Sequence, residues 1–204
     1  MFKPVIGLTG PIGAGKSTVA SFLRENGCAV VDADLLAREV ALRPECLAKL
    51  KEAFGTDITG EDGALDRRLL AQRAFATHEN AKRLNAITHP VIIAEAEKRI
   101  AEAKTGGAKA VVLEAILLFE SGADRLCDAT VAVTAPDASR LRRVIARDGI
   151  SEDAARARMN NQHEAAYYTE RAAYSFDGSA AWNELPAKAA ELLDTILRDL
   201  HADK

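Results

Sequence analysis

The chain has 204 residues and a net charge of −3 at pH 7, and 48% of its residues are hydrophobic, as in ordinary globular proteins. This length fits one α/β domain with an insertion or a lid, and it is too short for two full domains. The small negative charge argues against a nucleic-acid or membrane partner. The three cysteines show no Cys-x-x-Cys spacing, which favours reduced thiols in a cytoplasmic protein over a disulfide framework or a structural zinc site.

A glycine-rich segment near the N-terminus carries the clearest signal. Residues 10–17 read Gly-Pro-Ile-Gly-Ala-Gly-Lys-Ser and match the phosphate-loop pattern G-x-x-x-x-G-K-[ST] at every fixed position. The apolar residues before the loop (5–8) predict a buried strand, and the spacing after it (18–24) predicts a helix. A loop between a strand and a helix N-terminus gathers backbone N–H groups and positive potential around one point, which is typical of a triphosphate site.

Contacts to ATP and Mg²⁺ follow from this pattern. We expect the Lys16 ammonium to reach the β- and γ-phosphates and the Ser17 hydroxyl to bind Mg²⁺. The residues predicted to bind ATP are Gly10, Ile12, Gly13, Ala14, Gly15, Lys16, Ser17 and Thr18.

Two aspartates follow the second predicted strand, which covers residues 28–31. Asp32 and Asp34 come beyond the carboxyl end of a strand, where open α/β sheets bind ligands. Transfer of a phosphoryl group to a hydroxyl needs a base, so we expect one aspartate to be the base and the other to hold Mg²⁺ or substrate. The spacing leaves open which is which. The alternative is that Asp34 caps the helix predicted over residues 35–40.

The stretch 44–107 is predicted to be an all-helical insertion between the second and third strands. Most of its charged side chains mark solvated helix faces, but a minority can hold an anionic substrate. These side chains are Arg67, Arg68, Arg73, Lys82 and Arg83. A lone histidine is more often a packing residue than a ligand, and His89 is kept as a further candidate for substrate binding. Pro90 is expected to kink or restart its helix. The predicted helices cover residues 46–54, 66–76 and 79–104.

Three further strands complete the predicted sheet, over residues 110–113, 129–134 and 174–176, and a closing helix covers 187–200. The first of these strands ends in Glu114, as a Walker B-like element does, so Glu114 or Asp32 is the candidate to join Ser17 at Mg²⁺. The predicted fold class is a three-layer α/β/α P-loop NTPase fold with about five parallel strands.

Arginines cluster in the next helical region. Arg140, Arg143 and Arg147 occur at i, i+3 and i+7 and therefore share one helix face. Such a group is either a solvated surface or a lid that neutralises charge on the transferring phosphate and excludes water. We favour a lid over residues 140–172. The predicted catalytic residues are Lys16, Arg143 and Arg147, with Asp32 or Asp34 as the base.

A series of short motifs runs along the chain in a specific order. The motifs are Gly7-Leu8-Thr9-Gly10, Asp32-Ala33-Asp34, Ala37-Arg38-Glu39-Val40, Leu65-Asp66-Arg67, His89-Pro90, Leu117-Leu118-Phe119-Glu120 and Arg147-Asp148-Gly149, followed by Arg158 and Gln162. Their order and spacing resemble the dephospho-coenzyme A kinase family over most of the chain.

The resemblance implies transfer of the γ-phosphoryl group of ATP to the ribose 3′-hydroxyl of dephospho-CoA, with Mg²⁺ as cofactor. It makes Asp34 the candidate base and the helical insertion the binding site for dephospho-CoA. The residues expected to bind this substrate are Asp32, Asp34, Arg67 and His89. Expected partners are ATP and dephospho-CoA alone, with a monomer as the expected state and a homo-oligomer left open.

Four departures from the family's pattern leave Lys16 and Ser17 untouched. One is that residues 163–168 lack the basic pair common in the family. Pro11 stands where a glycine is usual and has no backbone N–H to donate to a phosphate, Ala115-Ile116 replaces a residue-proline pair, and Asp177-Gly178 replaces an Asp-Asn pair. One alternative function is another small-molecule P-loop kinase, acting on a nucleoside monophosphate or a metabolite hydroxyl. A GTP-dependent switch is disfavoured, because the chain lacks an Asn-Lys-x-Asp motif.

Overall fold

The computed structural model describes residues 2–202. A parallel sheet has the strand order β2-β3-β1-β4-β5 with helices on both sides. The predicted three-layer fold with five parallel strands is therefore confirmed. The strands are β1 (Val5–Thr9), β2 (Ala29–Asp32), β3 (Val111–Glu114), β4 (Ala129–Thr134) and β5 (Tyr174–Asp177). The helices are α1 (Lys16–Glu25), α2 (Ala33–Val40), α3 (Pro44–Phe54), α4 (Arg67–Ala74), α5 (His78–Thr105), α6 (Asp137–Asp148), α7 (Glu152–Asn160), α8 (Ala165–Thr169) and α9 (Leu185–Ala202).

The chain divides into two compact units, and the division falls within α5. The sheet unit comprises residues 2–32 and 99–202 of the described chain. Its strand β1 is buried along its whole length, and its core also contains Leu23 of α1 and Leu193 of α9. Burying each such leucine contributes about 1.5–3 kcal/mol. Because parallel strands end at one edge, this core fixes the edge at which β1, β2 and β3 present their last residues.

The helical unit comprises residues 33–98. Its core contains Val40, Leu50, Phe54 and Leu70, which are buried and lie on three different helices. Helix α4 begins after Asp66, whose carboxylate accepts a hydrogen bond from the Leu69 N–H at 2.9 Å. This contact satisfies one of the N–H groups that a helix start leaves without a partner in its own backbone.

The structure excludes one alternative and one local expectation. Helix α2 begins at Ala33, so Asp34 lies inside the first helical turn and does not cap the helix. The expected restart at Pro90 does not occur either, since α5 runs through this residue from His78 to Thr105. A proline removes only its own N–H from the helix ladder, and apolar residues on both sides of it, such as Leu84 and Ile92, pack against the same core. Among the described helices, none is long and apolar enough to cross a membrane.

Candidate active site

Three glycines of the phosphate loop hold backbone conformations that other residues rarely adopt. Gly10, Gly13 and Gly15 have φ angles of 137°, 78° and 104°. A Cβ atom at position 10 would lie 2.0 Å from the carbonyl oxygen of Val133, and one at position 13 would lie 2.7 Å from that of Arg140. The glycines therefore let the loop pass close against β4 and α6.

Lys16 is buried at the start of α1. Its ammonium donates hydrogen bonds to the carbonyl oxygens of Gly10, at 2.7 Å, and Pro11, at 3.3 Å. The Pro11 carbonyl also accepts from the Ala14 N–H at 3.2 Å. Pro11 lacks an N–H, but its carbonyl oxygen helps to hold the loop and the ammonium together.

Oxygen ligands suited to Mg²⁺ meet at the carboxyl edge of the sheet. The Ser17 hydroxyl donates to Glu114 Oε1 at 2.7 Å, and Glu114 is buried at the end of β3. Asp32 is exposed at the end of β2, in register with Glu114. Hydroxyl and carboxylate oxygens are the ligands that Mg²⁺ prefers, so the residues present fit this ion.

The other predicted substrate residues belong to the helical unit. Asp34 is exposed in the first turn of α2. Arg67 begins α4, and its guanidinium donates to the carbonyl oxygen of Arg38 at 3.1 Å. His89 is half-buried in α5, and this burial lowers the pKa of its imidazole below the usual 6.5, so the ring is neutral at pH 7. The structure thus groups Asp32 with the phosphate-loop unit, and Asp34, Arg67 and His89 with the helical unit.

Arg140 anchors the phosphate loop. It is buried, its Nε donates to the Ile12 carbonyl at 3.0 Å, and its Nη1 donates to the Asp137 carboxylate at 2.8 Å. A buried guanidinium requires such partners, because an unpaired buried charge is costly. On the helix face that was predicted to carry three arginines, Arg140 therefore stabilises the phosphate loop.

Arg143 joins the loop to the segment after β5. Its guanidinium donates to the carbonyl oxygens of Gly13 and Ala14, both at 3.2 Å, and to that of Gly178 at 2.8 Å. A Cβ atom at position 178 would lie 2.1 Å from the Ala14 carbonyl oxygen. The departure at Gly178 therefore permits a close approach between the two segments.

Arg147 lies in a charged cluster at the end of α6. Its guanidinium donates to Asp148 Oδ1 at 2.7 Å, and Arg158 of α7 donates to Asp148 Oδ2 at 2.6 Å. The hydrogen bond from Arg147 is the largest cause that lowers the pKa of Asp148 below its usual value. The carboxylate therefore stays charged at neutral pH, and it links the two helices of the predicted lid.

Two further residues near the loop were not among the predicted site residues. The Gln162 side-chain oxygen accepts from the Ile12 N–H at 2.7 Å. Trp182 lines a cleft of about 140 Å³ together with Gly15 and Thr18, and its ring lies 5.7 Å from that of Phe22. A glutamine in a family motif was a signal for the first, whereas nothing in the local sequence pattern pointed to the second.

Comparison with known proteins decides the family. A sequence model described as dephospho-CoA kinase matches residues 4–184. The chain belongs to the dephospho-CoA kinase family. This result confirms the resemblance carried by the series of motifs.

Relatives align along nearly the whole chain. The dephospho-CoA kinase of Deinococcus radiodurans is 44% identical over 195 residues, which cover 96% of this chain and 91% of that protein. The dephospho-CoA kinase of Corynebacterium glutamicum is 42% identical over 193 residues, with coverage of 94% and 96%. Among solved structures, TT1252 from Thermus thermophilus is 34% identical and has a TM-score of 0.82. The match covers 97% of this chain and 99% of that chain.

Proposed function

We propose that this protein transfers the γ-phosphoryl group of ATP to the ribose 3′-hydroxyl of dephospho-CoA, giving CoA and ADP in the last step of coenzyme A synthesis. The observation that carries the proposal is a phosphate loop with Ser17 hydrogen-bonded to Glu114, in a chain of the dephospho-CoA kinase family. Such a site binds a triphosphate, and the family supplies the acceptor.

The loop holds the donor in this proposal. Lys16 leaves the carbonyl oxygens of Gly10 and Pro11 and binds the β- and γ-phosphates, while backbone N–H groups of the loop and of the first turn of α1 bind phosphate oxygens. Ser17, with Glu114 or Asp32, holds Mg²⁺. The ion, when bound, neutralises charge on the β- and γ-phosphate oxygens.

Asp34 is the proposed base. Its carboxylate accepts the proton of the 3′-hydroxyl as the hydroxyl oxygen forms a bond to the γ-phosphorus. The bond from that phosphorus to the β,γ-bridging oxygen breaks, and its electron pair leaves with ADP. The Asp34 carboxylate is exposed in the first turn of α2 and is therefore accessible to a hydroxyl of the acceptor. Asp32 is the second candidate.

Residues 140–172 act as the lid in this proposal. Arg143 contributes its charge beside the loop carbonyls, and Arg147 exchanges Asp148 for the transferring phosphoryl group. Guanidinium groups suit this role because they are always charged and they match the geometry of phosphate oxygens. The adenine of ATP occupies the cleft beside Gly15, against Trp182.

The insertion, residues 44–107, binds dephospho-CoA in this proposal, with Arg67 and His89 among its contacts. Arg67 is exposed and offers charge to the substrate's diphosphate, and neutral His89 offers hydrogen bonds without charge. We further propose that the protein acts as a monomer in the cytoplasm.

The test is ADP release, measured with ATP, Mg²⁺ and a panel of acceptors. We expect turnover with dephospho-CoA, and its loss in the Lys16→Met variant, which removes the ammonium. The panel also holds a nucleoside monophosphate and a simple metabolite alcohol. Turnover with either of these but not with dephospho-CoA would show a different small-molecule kinase.

A further inference from the structure

The helical unit contains an apolar pocket of about 210 Å³. Leu65, Leu70, Leu84 and Ile92 contribute to its walls. Pockets of this kind take apolar groups, and a few polar side chains at the edge fix their orientation. The pocket therefore suits a flat or apolar part of a ligand.

One aromatic side chain in the pocket is open to a ligand. Phe75 lines the pocket, and 68% of its surface is exposed to solvent. Such a ring gains contact area when a flat ring stacks on it. Stacking of a nucleobase on an aromatic side chain contributes about 1–3 kcal/mol.

The pocket begins one helical turn from Asp34. Ala37 and Arg38 line it and follow Asp34 by three and four residues on one face of α2, and Ala41, directly after the helix, lines it too. At 1.5 Å per residue, the edge of the pocket lies roughly 5 Å further along the helix axis. A ligand that fills the pocket and presents a hydroxyl to Asp34 must therefore carry that hydroxyl close to the group in the pocket.

This distance selects one part of dephospho-CoA. The adenine is bonded to the same ribose that carries the 3′-hydroxyl, whereas the pantetheine arm is separated from that ribose by the diphosphate. Arg38 and Arg67 both line the pocket, and their charges complement that diphosphate. Adenine in the pocket therefore agrees with the distance to Asp34, and it leaves the diphosphate near the two arginines.

We infer that this pocket binds the adenine ring of dephospho-CoA, with Phe75 stacked on the purine and with Arg38 and Arg67 facing the 5′-diphosphate. The inference rests on the proposed function and adds to it the recognition of the acceptor's base. The enzyme then selects its acceptor by the nucleotide end of the molecule.

Ala71 allows a test by filling the pocket. It lines the pocket and is exposed, so Ala71→Leu reduces the pocket without disturbing the core. Ala86→Leu is the control, because Ala86 is exposed on α5 and does not line the pocket. The two acceptors are dephospho-CoA and its analogue with cytosine in place of adenine. We expect Ala71→Leu to lower kcat/KM about tenfold for dephospho-CoA and much less for the smaller base, with the KM for ATP unchanged.

Phe75→Ala provides a second variant. We expect the KM for dephospho-CoA to rise about 5- to 100-fold as stacking is lost. Leu42→Ala removes another exposed apolar side chain of the helical unit, outside the pocket, and should leave that KM unchanged.

Each remaining outcome overturns the inference. Equal losses for the adenine and cytosine acceptors in Ala71→Leu would place the pantetheine arm in the pocket. Unchanged KM values in both Ala71→Leu and Phe75→Ala would show that the pocket lies outside the acceptor site. Failure of the proposed function is a separate result, since the wild-type enzyme would then not turn over dephospho-CoA at all.

Discussion

Asp32 and Asp34 are two residues apart, but their local structures differ. Asp32 ends β2 in register with Glu114 at the edge that carries Ser17, whereas Asp34 lies in the first turn of α2. The first environment suits a metal ligand and the second suits a base that meets the acceptor. This difference supports the assignment of the base to Asp34, which the spacing alone left open.

The exchange Asp34→Asn tests that assignment. We expect kcat to fall by about 10²- to 10⁴-fold, because an amide cannot accept the hydroxyl proton, while ATP affinity stays unchanged. Steady-state kinetics and ATP titration measure the two quantities. Asp32→Asn is the matched variant, and near-normal kcat in Asp34→Asn with a large loss in Asp32→Asn would move the base to Asp32.

A prediction at Gly178 concerns asparagine, the residue that is usual in the family at this position. We expect Gly178→Asn to weaken ATP binding about tenfold, since its Cβ would lie 2.1 Å from the Ala14 carbonyl oxygen and would displace the loop. The fluorescence of Trp182, the chain's single tryptophan, reports ATP binding because the indole lines the cleft. In the control Gly107→Ala, the added Cβ meets open space. Equal ATP affinity of the two variants would contradict the close approach.

At the scale of elements, the ends of β2 and β3 and the start of α1 carry the residues of the proposed Mg²⁺ site. We expect Glu114→Gln to raise the Mg²⁺ concentration needed for half-maximal activity, because one anionic oxygen is lost beside Ser17. Activity measured across a Mg²⁺ series, with EDTA as the zero point, gives this value. Glu120→Gln serves as a comparison, since Glu120 also follows β3 in sequence but its Oε1 lies 3.8 Å from His163 Nε2. An unchanged Mg²⁺ requirement in Glu114→Gln would exclude Glu114 from the metal site.

Helix α5 should lose stability in mild acid through His89. Burial lowers the pKa of His89 in the folded chain, so the unfolded chain binds a proton first as pH falls below about 6.5. Stability is therefore expected to decrease from about pH 7 downwards through the folded pKa. Urea unfolding at several pH values measures it. His89→Gln should weaken this pH dependence, whereas the exposed His78→Gln on the same helix should not, and equal slopes for both variants would contradict the assignment.

The elements also show which features the sequence could predict. Short apolar runs bounded by turn residues predicted the strands, because a parallel strand is buried on both faces. The phosphate loop could be predicted equally well, since its glycines, lysine and serine lie in one short segment of the sequence. Helix periodicity placed Arg140 and Arg143 on one face, but it could not show that they bind loop carbonyls about 130 residues away.

At the scale of the whole molecule, the missing information concerns contacts between distant segments. Trp182 and Gly15 line one cleft although they are far apart in sequence, and no local pattern encodes that proximity. The same holds for Phe75 and Ala37 in the pocket of the helical unit. The expected restart of the helix at Pro90 was wrong for a different reason, because packing of the flanking apolar residues outweighed the backbone hydrogen bond that the proline removes.

The molecule's overall charge of −3 does not attract two anionic substrates. Local cations must therefore offset it, and they occur in both units: Lys16, Arg143 and Arg147 in the sheet unit, and Arg38 and Arg67 in the helical unit. Interactions of this kind act at short range, since salt screens exposed charges beyond about 8–10 Å.

The position of the new phosphate is the most direct test of the central claim. The enzyme is incubated with dephospho-CoA, Mg²⁺ and ATP labelled in its γ-phosphate, and the product is analysed by ³¹P NMR and by release of the label with a 3′-nucleotidase. We predict CoA that carries all of the label on the ribose 3′-oxygen, with one ADP formed for each CoA. Label on the 2′-oxygen, on the pantetheine arm or only in free phosphate would contradict the proposed reaction.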